Sequence, residues 1–138
     1  MSQAQEIFDV FAEFATDPVK EVAGTWFDLG KGARILVARA DNWKHNAALQ
    51  SALELHSEAL GTKDQAAHDL SQKVMAEVFA KAILLNFEGM FYQGQPLAYS
   101  LDNALKLLAH QDFRVLVGKK ASQFDAYKAH AEAEQGKV

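Results

Sequence analysis

Histidine is the side chain with the widest chemical scope in this chain of 138 residues. The five histidines are His45, His56, His68, His110 and His130, and none belongs to an H-E-x-x-H motif or to another pair of metal ligands. Asp64 and His68 stand one helical turn apart, but a metal there would need further ligands from a second element. A hydrogen bond between the two is the simpler interpretation, so the sequence predicts no metal site.

Motifs for nucleophilic catalysis and phosphate binding are also missing from the sequence. It contains no G-x-S-x-G, S-x-x-K or P-loop pattern. Gly30-Lys31-Gly32 lacks the spacing and the following Ser or Thr of a phosphate-binding loop, so a turn is expected there. Glu77 and Glu88 would share a helix face only if their helix continued past Asn86. The sequence therefore predicts no catalytic residue and no cofactor-binding residue, and it does not favour an enzyme.

Composition narrows the possible partners and location. The absence of cysteine is typical of a protein in a reducing cytosol. The 14 Lys and Arg and 18 Asp and Glu give a net charge of −4, and the basic residues are scattered, so no binding to nucleic acid is expected. The longest apolar stretch, Phe79–Phe87, is far shorter than the roughly 20 residues that cross a membrane. With no signal-peptide pattern at the N-terminus, a cytoplasmic protein is expected.

The elements that would position any site begin with an unusually aromatic helix over residues 3–15, ended by Thr16-Asp17-Pro18. Strand-favouring residues follow, interrupted by two glycines in Gly30-Lys31-Gly32, which predicts a β-hairpin over about Val22–Ala38. Because a lone hairpin is marginal in water, this one is expected to pack on helices.

The rest of the chain is predicted to be helical. Asp41 or Asn42 can cap a helix that reaches Leu60, with His45 and His56 on its buried face. Further helices are predicted from Thr62 to about Asn86, over 101–109 after a Ser100 cap, and over about 112–134, where Gly118 indicates a kink or a close helix contact. Residues 89–96 are expected to form a loop or a second small hairpin.

The sequence thus predicts a mainly α fold, namely a compact helical domain of about five helices with one small β-hairpin near residues 22–38. Residues 1–134 would form this single domain, and residues 135–138 a frayed tail.

Aromatic and aliphatic side chains at the N-terminus and in loops are the best candidates for protein contacts. Such residues could equally seal the core of a small helical domain. Four large apolar residues in a short terminal helix favour self-association, so a homo-oligomer is expected. The candidate contact residues are Ile7, Phe8, Phe11, Phe14, Trp43, Phe91 and Tyr92.

Several segments, taken in order, resemble the tail assembly chaperones of long-tailed bacteriophages and prophages. The likeness covers most of the chain and ends in an Asp-aromatic-Arg element followed by a charged terminal segment. Its parts are Gly24–Gly30, Gly32–Arg39, Asn42, Ile83–Gly89, Gly94, Pro96, Tyr99–Leu108 and Asp112-Phe113-Arg114.

This resemblance implies a non-enzymatic protein of the host cell cytoplasm that is absent from the mature virion. It would coat the tail tape-measure protein and help to recruit the tail-tube protein. Such families often make a longer product by a programmed −1 frameshift, and Gly136-Lys137 matches the dipeptide that a suitable slippery sequence encodes. The alternative is a generic oligomeric helical adaptor, or a toxin–antitoxin-type binding module, with another protein client.

Overall fold

The computed structural model describes residues 6–129, within which the chain forms seven α-helices, five short strands and one 3-10 turn. The helices are α1 (Val10–Phe14), α2 (Pro18–Ala23), α3 (Trp43–Leu55), α4 (Ser57–Leu60), α5 (Gln65–Ala82), α6 (Leu101–Leu108) and α7 (Gln111–Ala121). The strands are β1 (Thr25–Gly30), β2 (Ala33–Val37), β3 (Leu84–Glu88), β4 (Phe91–Tyr92) and β5 (Gln95–Pro96), and the 3-10 turn is Phe124–Tyr127.

The main sheet is antiparallel and has the order β1-β2-β3, with β2 in the centre. Ile35 of β2 is opposite Phe27 of β1 on one side and Phe87 of β3 on the other. At the end of the ladder Arg34 is opposite Glu88, and its Nε lies 2.6 Å from the Glu88 carboxylate. This hydrogen bond holds the pKa of Glu88 below its usual value. The sheet therefore joins a local hairpin to a strand that follows three intervening helices.

The predicted hairpin is present, and glycine shapes both its turn and its contact with β3. Lys31 and Gly32 have positive φ values of 56° and 79°, as the tight turns of right-twisted hairpins require. Gly89 follows β3 with a φ of 70°, and a Cβ built on it would collide with the Gly32 carbonyl oxygen. Only glycine fits at this close approach of two backbones.

The prediction of a mainly α fold with a single hairpin is wrong. Helices make up 56% and strands 18% of the described chain, with the strands in two antiparallel sheets. The main cause is that α5 ends at Ala82 instead of Asn86, and the apolar run that follows it pairs with β2 as β3. A short buried apolar run has the same sequence pattern in a strand as in a helix. Of the two alternatives for residues 89–96, a loop or a second small hairpin, the structure has the hairpin, formed by β4 and β5.

The N-terminal prediction needs a further correction. Within the described residues, the helix predicted over 3–15 is reduced to α1, where the Asp9 carboxylate accepts from the backbone N–H of Phe11 at 3.0 Å. Helix α1 ends at Phe14, just before Thr16-Asp17-Pro18 as predicted, and the Asp17-Pro18 pair also begins α2, with Asp17 as its cap and Pro18 in its first turn. Proline is well suited to that position because it needs no N–H there.

The last helix is also shorter than predicted. It ends at Ala121, and a 3-10 turn replaces the expected continuation towards residue 134. Residues 130–138 lie outside the described residues, and with them the predicted frayed tail. Gly118 contacts the side chain of Phe79, since a Cβ added there would be 3.6 Å from that ring. The close helix contact expected at this glycine is therefore present, between α7 and α5.

Two predicted helix caps are confirmed at the level of single hydrogen bonds: Asn42 accepts from the backbone N–H of His45 and Ser100 from that of Asn103, both at 3.0 Å. The helix predicted from Thr62 begins two residues later than expected for a Thr62 cap, because Asp64 is its cap and accepts from the Ala67 N–H at 2.9 Å. Each cap pairs a backbone N–H that the first helical turn leaves free. The predicted helix to Leu60 is interrupted at His56, which separates α3 from α4.

The core lies between the sheet and the helices α5, α6 and α7. Helix α5 contacts α3, α6, α7 and β3, and α7 also contacts β2. The most deeply buried of the large apolar side chains are Ile35, Val37, Val78, Ile83, Leu84, Leu108 and Val117.

Tyr127 anchors the C-terminal part of the described chain to the sheet through a buried hydrogen bond. Its ring is fully buried, and its hydroxyl donates to the Val37 carbonyl at 2.8 Å. Burial raises the pKa of this phenol well above its ordinary value, so it remains a donor at physiological pH. Around it, Thr25 donates to the Ala126 carbonyl at 3.0 Å, and the Asp17 N–H donates to the Tyr127 carbonyl at 2.8 Å.

We expect Tyr127→Phe to lower the free energy of unfolding by about 1–2 kcal/mol, because it removes one buried hydrogen bond while keeping the ring. Urea unfolding followed by circular dichroism measures the change. Tyr99→Phe is the control, since Tyr99 is 40% exposed. Equal stability of the Tyr127→Phe variant and wild type would show that the hydroxyl does not stabilise the attachment of the 3-10 turn to the sheet.

His45 is a buried histidine held in its neutral form. Its Nδ1 accepts from the backbone N–H of Asp41 at 3.0 Å, its ring packs edge-on against Phe79, and its buried Nε2 has no partner among the described residues. Burial lowers its pKa, and the Asp41 charge opposes that effect only in part. The sequence-based interpretation of His45 as a core residue is confirmed, although one ring nitrogen is unpaired.

We expect stability to decrease below pH 6.5 because of His45. Above that pH the residue is neutral in both states; below it the unfolded chain takes up a proton that the folded chain binds more weakly, at a cost of at most about 1.4 kcal/mol per pH unit. Urea unfolding at pH 7.5 and 5.5 should show a smaller pH effect in His45→Gln than in wild type. His68→Gln, which alters an exposed histidine of α5, should behave as wild type. An unchanged pH effect in His45→Gln would contradict this assignment.

Candidate interaction surfaces

Of the residues that could have offered chemistry in the sequence, Asp64 has a structural role. Asp64 caps α5 and accepts from the Thr62 hydroxyl at 3.1 Å, and these hydrogen bonds lower its pKa. His68 is exposed on the same helix. Glu77 and Glu88 lie on different elements, a helix and a strand, so they do not form a carboxylate pair on one helix face. Within residues 6–129, no three His, Asp or Glu side chains are placed to hold a metal ion.

Four of the predicted contact residues form one exposed group, here called the N-terminal apolar surface: Ile7, Phe8, Phe11 and Phe14. Their exposed fractions are 76%, 68%, 88% and 55%. They do not line a single helical stripe, because Ile7 and Phe8 precede α1. Instead the chain brings the Phe8 and Phe14 rings together edge to face, with centroids 6.1 Å apart. Phe11, the most exposed of the four, has most of its ring available to a partner.

This surface is attached to the rest of the protein at its C-terminal side. The ring centroid of Phe14 lies 5.4 Å from that of Phe124 in the 3-10 turn. Just beyond it, Thr16 forms an isolated β-bridge with Lys128, and Asp17 is hydrogen-bonded to the Tyr127 carbonyl. Thr16 also donates to Glu21, which forms an ion pair with Arg39 at 2.9 Å. These contacts hold the segment that carries the N-terminal apolar surface in place at its C-terminal end.

Trp43, Phe91 and Tyr92 lie apart from that surface in the chain. Trp43 is the first residue of α3 and is 67% exposed, with the Lys44 ammonium 5.7 Å from its ring centroid. Phe91 is 65% exposed, whereas its neighbour Tyr92 is half-buried and packs against His110. Successive side chains of a strand point to opposite faces, which explains this difference. The aromatic ring pairs among the described residues include neither Trp43 nor Phe91.

Sequence reasoning missed a groove between α5, α6 and α7. Its volume is about 350 Å³, and one wall carries the buried guanidinium of Arg114. The available signal was the position of Arg114 one residue after Phe113 and three before Val117, inside the apolar pattern of α7. An arginine at such a position is either paired within the protein or directed at a partner. The groove forms only where α5 packs against α6 and α7, two helices that three strands separate from it in sequence, so its shape was not predictable.

None of the helices in the described range is long and apolar enough to cross a membrane.

The chain was also compared with known proteins. The profile of a family described as YdaY prophage protein matches residues 40–137. This region includes Trp43, Phe91, Tyr92 and Arg114, and it leaves the N-terminal apolar surface and the β1–β2 hairpin outside. No curated protein and no solved structure matches the chain. The prophage association expected from the sequence is confirmed. Because the match covers well over half of the 138 residues, the chain belongs to the YdaY prophage protein family.

Proposed function

We propose that this protein is a non-enzymatic tail assembly chaperone of a prophage. It coats the tape-measure protein during tail morphogenesis and helps to recruit tail-tube subunits. Two findings support the proposal: membership of a prophage family and the ordered likeness of its segments to tail assembly chaperones. The single observation that carries it is the N-terminal apolar surface, which leaves four large side chains exposed on a braced segment.

The physical basis is the burial of apolar surface. A tape-measure protein that is helical and not yet enclosed by the tail tube exposes apolar stripes, and covering each Å² of such surface contributes about 25 cal/mol. Aromatic side chains suit this task because they bury a large area at a small cost in conformational entropy. The net charge of −4 would help to keep the resulting complex in solution.

The proposal includes self-association, so that several copies can line an elongated client. The same N-terminal apolar surface is the candidate contact between copies, and Trp43, Phe91 and Tyr92 are secondary candidates for client or subunit contacts. The protein acts in the host cell cytoplasm and is left out of the finished virion. A minority product continuing by a −1 frameshift at Gly136-Lys137 carries the extension that binds the tape measure.

Co-expression with the tape-measure protein of the same prophage tests the function. We expect wild type to keep most of the tape-measure protein in the soluble fraction and Phe11→Asp to lose most of this effect, because it places a charge at the centre of the apolar contact. Leu55→Asp is the matched control, since Leu55 is similarly exposed, at 78%, on α3. A tape-measure protein that stays insoluble with wild type would count against the chaperone and leave an adaptor for another client.

Light scattering tests self-association without any client. We expect wild type to form oligomers at high micromolar concentration and Phe11→Asp to shift towards the monomer by at least about tenfold in the dissociation constant, which corresponds to roughly 1.4 kcal/mol. Leu55→Asp should associate as wild type does. If wild type stays monomeric at millimolar concentration, the N-terminal apolar surface does not join copies of this chain.

A further inference from the structure

The groove between α5, α6 and α7 combines apolar walls with a buried cation. It is lined by Gln72, Lys73, Ala76, Glu77, Leu105, Ala109 and Arg114 and has a volume of about 350 Å³. Arg114 is the only arginine among the described residues that is buried, with 9% of its surface exposed. The groove is open to solvent and is not an enclosed cavity, which suits side chains of another protein better than a buried small molecule.

The hydrogen bonds of Arg114 leave part of its guanidinium free. One terminal nitrogen donates to the Leu108 carbonyl at 2.8 Å, at the end of α6, and the other donates to the side-chain oxygen of Gln72. A guanidinium has five N–H donors, and both of these acceptors are neutral. The remaining donors have no acceptor among the described residues, so an oxygen that enters the groove can be bound.

The charge of Arg114 has no counter-ion in the described part of the chain. Ion pairs among residues 6–129 use Arg34, Arg39 and Lys128, and Glu77 on the groove wall is not within ion-pair distance of Arg114. Lys73 stands one turn before Glu77 and is likewise without a carboxylate partner there. A buried charge is stable only when it is paired or well hydrogen-bonded. A carboxylate from a partner protein would supply the missing counter-ion, and it could accept two parallel hydrogen bonds from the guanidinium.

We propose that this groove docks a helical segment of a partner protein, with a Glu side chain of that segment bound by Arg114 and a neighbouring Leu side chain packed against Ala76, Leu105 and Ala109. Lys73 at the rim adds attraction for the same carboxylate, and Glu77 disfavours a second one. This surface is distinct from the N-terminal apolar surface, and it recognises charge in addition to apolar area.

Nuclear magnetic resonance of the full chain tests the docking with two capped 15-residue Ala/Leu helices, one with a central Glu and one with Gln in its place. We expect the Glu peptide to shift the Arg114 Nε–H signal and to bind at least about fivefold more tightly than the Gln peptide, since charged hydrogen bonds are the stronger ones. Equal affinity of the two peptides would overturn the proposal. So would sodium acetate or phosphate alone producing the same shift at the same concentration, because the groove would then be a small-anion site.

Surface variants keep the test independent of the structural role of Arg114. Lys73→Glu and Ala109→Phe change exposed residues of the groove, and each should weaken binding of the Glu peptide by about fivefold or more. Lys119→Glu makes the same charge change at an exposed position of α7 outside the groove lining, and it should bind as wild type does. Unchanged binding in both groove variants would place the peptide elsewhere. Neither peptide is a tail protein, so this outcome does not depend on the proposed function.

Discussion

The pairing of β2 with β3 is the contact on which the rest of the structure depends. It joins residues separated by α3, α4 and α5, and the ladder continues past its end through the Ala38 N–H, which donates to the Ile83 carbonyl at 2.8 Å. Closing so long a segment costs conformational entropy, which burial of Ile35, Val37 and Leu84 offsets. Because Val37 also accepts from Tyr127, the hairpin, the central helices and the C-terminal turn all meet at β2.

The same arrangement explains why the N-terminal segment is exposed. The sheet and α5, α6 and α7 complete the buried cluster without any residue that precedes β1. Ile7, Phe8 and Phe11 are therefore left outside a core that is already filled, and among the described residues that follow α1 the ring partner of this group is Phe124, which contacts Phe14. A single exposed apolar side chain such as Trp43 is common on protein surfaces, whereas four exposed large apolar residues within eight positions of the chain are less common.

Polar groups in the interior are mostly paired by their own neighbours. Asn42 accepts from the His45 N–H and donates to the Arg39 carbonyl at 2.7 Å, so it fixes both the start of α3 and the loop before it. Exposed pairs such as Arg34 and Glu88 add little to stability because water screens them. Arg114 differs from these groups, because its charge is buried and its described acceptors are neutral. Within residues 6–129 it has no counter-ion, and that observation is the basis of the docking proposed for the groove.

Local features of this protein were determined by the sequence itself. The caps at Asn42 and Ser100 and the glycine turn of the hairpin depend on residues within a few positions of one another, so spacing alone predicts them. The apolar character of Ile7, Phe8, Phe11 and Phe14 was equally clear from the sequence, but the solvent exposure of these side chains was not. Only the tertiary structure decided that α5 stops at Ala82, that the next residues become β3, and that three helices form a groove around Arg114. Each of these depends on contacts between distant segments, where the free energy of burial outweighs the local preference of the chain.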